Sequence, residues 1–198
     1  ANMLFEKIST GNTITKERSA QVGLIVREST RILENGPYGE KAVSPSEIIL
    51  SPDEKKQLRN GHYRVAISFH YTGTAWAELH EKGIRDELEQ YGIDVISVMD
   101  AHFDANLQNM QLQGIRIQKP DAVIAIPADD KMTADRFREL AAVTKLVFIS
   151  NLPENIGKNS YVSCVSVNEA ENGANAGRML GEYFRGKPNV KVGLINHG

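Results

Sequence analysis

The segment His70-Tyr71-Thr72-Gly73-Thr74-Ala75-Trp76 gathers an imidazole, two aromatic rings and two threonine hydroxyls within a few positions. Such a set suits a polyhydroxylated ligand, because a flat indole covers the C–H face of a ring while hydroxyls and imidazole bond its rim. His70, Tyr71, Thr74 and Trp76, the single tryptophan, are therefore candidate ligand contacts. The opposing reading is local: Trp76 opens a helix and packs into a core. Pro127-Ala128-Asp129-Asp130 offers carboxylates, and Asp129 can either accept hydroxyl hydrogen bonds or cap the following helix. Ser150-Asn151-Leu152-Pro153 offers the Asn151 amide, donor and acceptor at once, although an ordinary turn uses the same residue. Asn168, just before Glu169, suits a helix cap or a hinge.

The same inspection supports no catalytic residue, no metal and no cofactor. The histidines stand at positions 62, 70, 80, 102 and 197, and no two have the spacing of H-E-x-x-H. Asp100, His102 and Asp104 alternate in one loop, a weak cation signal. Adjacent carboxylates such as Asp129 and Asp130 cannot face each other across a glycosidic bond. There is no G-x-S-x-G elbow and no glycine-rich phosphate loop. His80 is expected on an exposed helix face. The lone Cys164 rules out an intrachain disulfide and, inside an apolar strand, reads as buried and inert.

These loops need elements to present them, and from Tyr63 onward the pattern is regular. Apolar runs predict strands over Arg64–Phe69, Asp94–Met99, Ala122–Ile126, Leu146–Ser150, Tyr161–Val167 and Val190–Asn196. Helices are predicted over Ala75–Tyr91, with Leu79, Gly83, Ile84, Leu88 and Tyr91 on one face, and from an Asp104 cap to Gln118. The inward stripe of the second is read as Leu107, Met110, Gly114 and Ile117. Further helices span Thr133–Val143, with Phe137, Leu140 and Ala141 inward, and Ala170–Phe184. Strands alternating with helices imply an α/β fold with a parallel, doubly wound sheet. Ligands of such sheets bind at the carboxyl ends of the strands, which is where the candidate loops begin.

Residues 1–62 lack this alternation and read as a mainly helical or irregular extension. A helix is predicted over Thr15–Glu34, stopped by Asn35-Gly36-Pro37. Ser51-Pro52-Asp53-Glu54 is a stronger start, with a capping serine, a proline suited to the first turn and a glutamate that closes a capping box; that helix should end near Asn60-Gly61. The 198 residues include 23 Lys+Arg and 25 Asp+Glu, so the net charge of −2 argues against a nucleic-acid partner. No run approaches the roughly 20 apolar residues of a membrane span, and no signal peptide is visible.

From Tyr63 to Gly198 the chain resembles the ribose-binding, LacI-like type I periplasmic binding proteins. The resemblance rests on the order of the strand YRVAISF, an aromatic-bearing loop, the helix ending ELEQYGIDV, the tract QKPDAVIAIPAD, the strand KLVFISN and the crossover VSVNEAENGANAG. It implies a clamshell of two lobes that closes on a sugar or sugar-like solute and hands it to an ABC-transporter permease in the periplasm. It also implies an aromatic stack at Trp76 and a ligand-side role for Asn168, where the family usually has Asp. Asn151-Leu152 replaces the Asp-Arg common after the fourth strand. By this register residues 63–167 form the amino-terminal lobe and 168–198 begin the second, so the chain is expected to be a fragment. Alone it should bind solute weakly, with the tail beyond about residue 170 either poorly ordered or paired with another copy. Rival readings are the sensor domain of a LacI-type regulator, disfavoured because residues 1–62 lack a basic helix-turn-helix, a receptor module for a sensor kinase, and a small α/β enzyme.

Overall fold

The computed structural model describes Val43, residues 47–166 and residues 169–194. Helix α1, Pro52–Gly61, starts as its sequence dictates: the Ser51 side chain accepts from the Glu54 amide while the Glu54 carboxylate accepts from the Ser51 amide, and His62 closes the helix with a left-handed backbone. The prediction for Thr15–Glu34 lies outside the described residues.

Then follow β1 (Arg64–Phe69), α2 (Ala75–Gln90), β2 (Asp94–Asp100), α3 (Ala105–Gln118), β3 (Ala122–Ala125), α4 (Ala134–Ala141), β4 (Lys145–Ile149), β5 (Ser163–Val165) and α5 (Glu169–Tyr183). The strands form one sheet in the order β2-β1-β3-β4-β5, every neighbouring pair parallel. The expected parallel α/β architecture is thus present. The reversal of direction on either side of β1 opens a crevice between the loops that leave β1, β2 and β3.

Alternate strand residues feed two cores. Ala66, Val123, Ala125, Leu146 and Phe148 meet Leu112 and Ile115 of α3 and Phe137 and Leu140 of α4 on one face. Ile67, Phe69, Ile126 and Ile149 form the other, joined by Ile84 of α2. The strands are apolar on both faces because helices cover both, the usual signature of a parallel sheet.

Four expectations need correction. The buried stripe of α3 is Ala105, Gln108, Leu112 and Ile115, not the predicted set. The two stripes have the same 3-4-3 spacing but are offset by two residues, about 200° around a helix, so Met110 and Ile117 stand 63% and 81% exposed. In α2 the same reading holds only in part: Ile84 packs on the core, Ala77 is the one fully buried residue and Leu79 faces solvent. Cys164 is half-buried against the core rather than fully enclosed, since β5 is a three-residue edge strand. Finally, residues 190–194 form no strand and pair with none of the described strands; 195–196 lie outside the described residues.

Candidate functional site

A depression of about 940 Å³ lies at the carboxyl ends of the strands. Loops after β1, β2, β3 and β4 wall it, with Ile126, Pro127 and Ala128 after β3 and Asn106 and Met132 among its polar and thioether contributors.

The first wall comes from the β1–α2 loop. Thr74 caps α2 by accepting from the Ala77 amide at 3.2 Å, which places Trp76 in the first turn. The Trp76 indole lines the depression and is 46% exposed, so it is not a core residue. His80 lies one turn on, its ring tilted 34° against the indole with centroids 3.8 Å apart and with its Nδ1 2.8 Å from the Trp76 carbonyl. His80 is therefore half-buried rather than on a free helix face. His70 also lines the depression, edge-on to Trp76 and to Phe103.

The second wall is the β2–α3 loop, where His102 and Phe103 both adopt left-handed backbones with φ of 49° and 59°. Consecutive left-handed residues without glycine cost about 1–2 kcal/mol each, and several bonds hold them. The Phe103 amide donates to the His70 carbonyl at 2.7 Å, the Asp104 amide to the Ala101 carbonyl at 2.7 Å, and the His102 amide to Asp100 Oδ1 at 2.8 Å. The turn swings the Phe103 ring against Tyr71, stacked at 4.8 Å and 23°. Asp100 also accepts from the Thr72 hydroxyl and from the Thr72 amide, and its Oδ2 sits 3.3 Å from His102 Nδ1. Burial works against the charged carboxylate, but the bonds from Thr72 and His102 outweigh it and hold the Asp100 carboxyl below its ordinary value.

The remaining walls are tied by side-chain amides and carboxylates. Asp104 Oδ1 caps α3 by accepting from the amides of Asn106 at 2.8 Å and Leu107 at 3.2 Å. Asp129 Oδ1 accepts from the amides of Lys131 at 2.9 Å and Met132 at 2.7 Å, forming the turn before α4. Ser150 takes a left-handed φ of 71° and turns the chain so that Asn151 Nδ2 reaches Asp130 Oδ1. Beneath them Gln108, wholly buried, donates to Ser68 Oγ at 3.1 Å and to the Ile126 carbonyl at 2.9 Å, and accepts from the Ala128 amide at 2.7 Å. Gln111 and Asn109 of the same helix bind the carbonyls of Asp100 and Met132.

Of the sequence candidates, His70, Trp76, Asp129 and Asn151 surround the depression; Tyr71 and Thr74 stand behind it, as a support for Phe103 and a helix cap. Asn168 lies outside the described residues. Asp100 and His102 meet, but Asp104 turns away to cap α3, and among the described residues no group of three His, Cys, Asp or Glu could hold a metal ion. Sequence reasoning missed Phe103, Asn106, Met132 and Ser150. Asn106 and Met132 could have been suspected from their place just before or inside the first turn of helices that follow strands. Phe103 carried no signal, because its position depends on a strained turn.

Among the described residues the lining contains two carboxylates, Asp104 and Asp129, and no lysine or arginine. It offers hydrogen-bond acceptors, an apolar floor and an aromatic side, and it repels anions. Residues 65–198 match the family model described as a periplasmic binding protein domain. The chain belongs to the periplasmic binding protein family. No curated protein matches this sequence. Among solved structures, this periplasmic binding protein chain is similar to a carbohydrate transporter solute-binding protein from Agrobacterium radiobacter in complex with D-arabinose. The TM-score is 0.56 at 19% identity, over 63% of this chain and 41% of that one. It is similar to the Caulobacter myo-inositol binding protein bound to myo-inositol, with a TM-score of 0.55 at 21% identity over 62% and 41% of the two chains. It is also similar to the fructose-binding periplasmic domain of a hybrid two component system, with a TM-score of 0.57 at 16% identity over 64% and 41%. The chain thus spans about two-fifths of the length of these proteins. At these identities the likeness is one of fold.

Proposed function

We propose that the chain forms one wall of the cleft of a periplasmic solute-binding protein that captures a neutral sugar or polyol for an ABC-transporter permease. The carrying observation is the depression itself: a half-exposed indole, an apolar floor of Ile126 and Pro127, and acceptor groups from Asp104, Asp129 and Asn151, without a cation to attract an acid or phosphate. In this reading Trp76 stacks on the solute ring and Asn151, Asp129 and His70 bond its hydroxyls. Tyr71 and Thr74 act through the loop they brace, and Asn168 contributes at the crossing to a second lobe that begins within 168–198. Residues 63–167 are then the first lobe and 1–62 an extension before it. A small-ligand site needs most of the ligand's surface covered, and the open depression covers one side only.

Similarity to the fructose-binding domain of a two component system supports a second reading, in which the same site reports solute to a sensor kinase. Calorimetry with D-arabinose, myo-inositol and D-fructose, and with a sugar phosphate as control, tests the shared part. Binding of a neutral member by the complete natural protein, weaker binding by this chain alone and none of the sugar phosphate are expected. Preference for the sugar phosphate, or equal affinity of chain and complete protein, refutes the proposed site. Co-purification with a permease or with a kinase separates transport from sensing.

A further inference from the structure

The floor of the depression is made by the stretch Ile126-Pro127-Ala128, which has run past the end of β3. Proline has no amide hydrogen, so a strand cannot simply continue pairing through it. In a parallel ladder, one residue of a neighbouring strand donates its amide to the carbonyl just before its partner and accepts, at its carbonyl, the amide just after it. Gln108 makes that same pair of bonds about Pro127: Nε2 donates to the Ile126 carbonyl at 2.9 Å and Oε1 accepts from the Ala128 amide at 2.7 Å. Its second amide hydrogen goes to Ser68 Oγ at 3.1 Å, and both Gln108 and Ser68 are wholly buried.

The geometry assigns to Gln108 the role of a positioning residue for the solute site: its carboxamide stands in for a missing strand and fixes the Ile126–Ala128 floor against α3. Gln108 does not itself line the depression, while Asp104, Ala105 and Asn106, one turn earlier on the same helix and its cap, do. One helix therefore ties together two parts of the lining, the Ile126–Ala128 floor and the Asp104–Asn106 wall. Only an amide satisfies all three partners. A carboxylate offers no donor to the Ile126 carbonyl, and an apolar side chain leaves the buried Ile126 carbonyl and the part-buried Ala128 amide without the partner that Gln108 supplies. That the floor serves a solute rests on the function proposed above; the rung itself does not.

Two variants test the assignment. Gln108→Met keeps the shape and removes the polar atoms, and Gln108→Asn keeps the amide but withdraws it by one methylene. The readouts are amide hydrogen exchange at Ala128 in the chain, and affinity for the neutral sugar that the complete protein binds best, measured well below each variant's unfolding midpoint. The expected result is at least a hundredfold faster exchange at Ala128 and at least a tenfold weaker affinity in a folded variant. Unchanged exchange at Ala128 overturns the rung. Faster exchange with unchanged affinity overturns the positioning role and leaves Gln108 a structural residue. If the wild-type protein binds none of the sugars, the proposed function falls, and the Ala128 exchange rate still upholds or overturns the rung by itself. Should Gln108→Met fail to fold, Gln108→Asn carries both measurements.

Discussion

Trp76→Ala probes the site most directly. The indole is 46% exposed, and His80 covers one of its faces with centroids 3.8 Å apart, so one face is left for a solute. A tryptophan side chain brings up to roughly 250 Å², of which 46% leaves about 115 Å² accessible. Covering all of it at about 25 cal/mol per Å² is worth about 3 kcal/mol. A sugar that lies on the free face alone covers about half, so the expected loss is about 1.5 kcal/mol, or about tenfold in Kd. Isothermal titration of the complete protein and its Trp76→Ala variant with the best-bound neutral sugar measures it, and circular dichroism confirms that both fold. The substitution removes a half-exposed group that lies outside the two cores, so the unfolding midpoint should move little. A Kd within twofold of wild type refutes the stack. A loss beyond about a thousandfold refutes the area argument, since one half-covered face cannot supply it.

Other outcomes follow from packing, capping and charge. Asp104→Ala removes the acceptor for the Asn106 and Leu107 amides and should cost about 1 kcal/mol in urea unfolding; an unchanged midpoint refutes the cap. Phe148 is wholly buried and packs edge-on to Phe137 at 5.2 Å, so Phe148→Ala should cost about 3–5 kcal/mol; a loss under about 1 kcal/mol would mean the core refills. Because the Asp100 carboxyl titrates below its unfolded value, its stabilisation is complete above about pH 4 and is lost as pH falls through the folded value. Asp100→Asn should therefore show a shallower loss of stability between pH 5 and pH 2 than wild type, and parallel pH profiles would count against the Thr72 and His102 bonds as the cause.

Local interactions were legible in the sequence because they close within one turn. Ser51, Pro52 and Glu54 announce α1, and Asp104 sits where α3 starts; Thr74, read from the sequence as a ligand contact, is the cap of α2 in the structure. The inner strands were legible because a parallel sheet is buried on both faces, so β1, β3 and β4 read as mainly apolar runs. The rule that ligands meet strand ends then led from those runs to His70, Trp76, Asp129 and Asn151. Tertiary structure decided the rest. Helix α3 carries apolar residues on two faces with identical spacing, and only the sheet chose the stripe containing Gln108, whose polarity marks it in a sequence as solvent-facing. Phe103 enters the site through a strained turn held by its amide's bond to the His70 carbonyl of another segment. The strand order that brings four loops to one depression depends on which apolar faces cover each other, and alternation of elements along the chain is the same for every order.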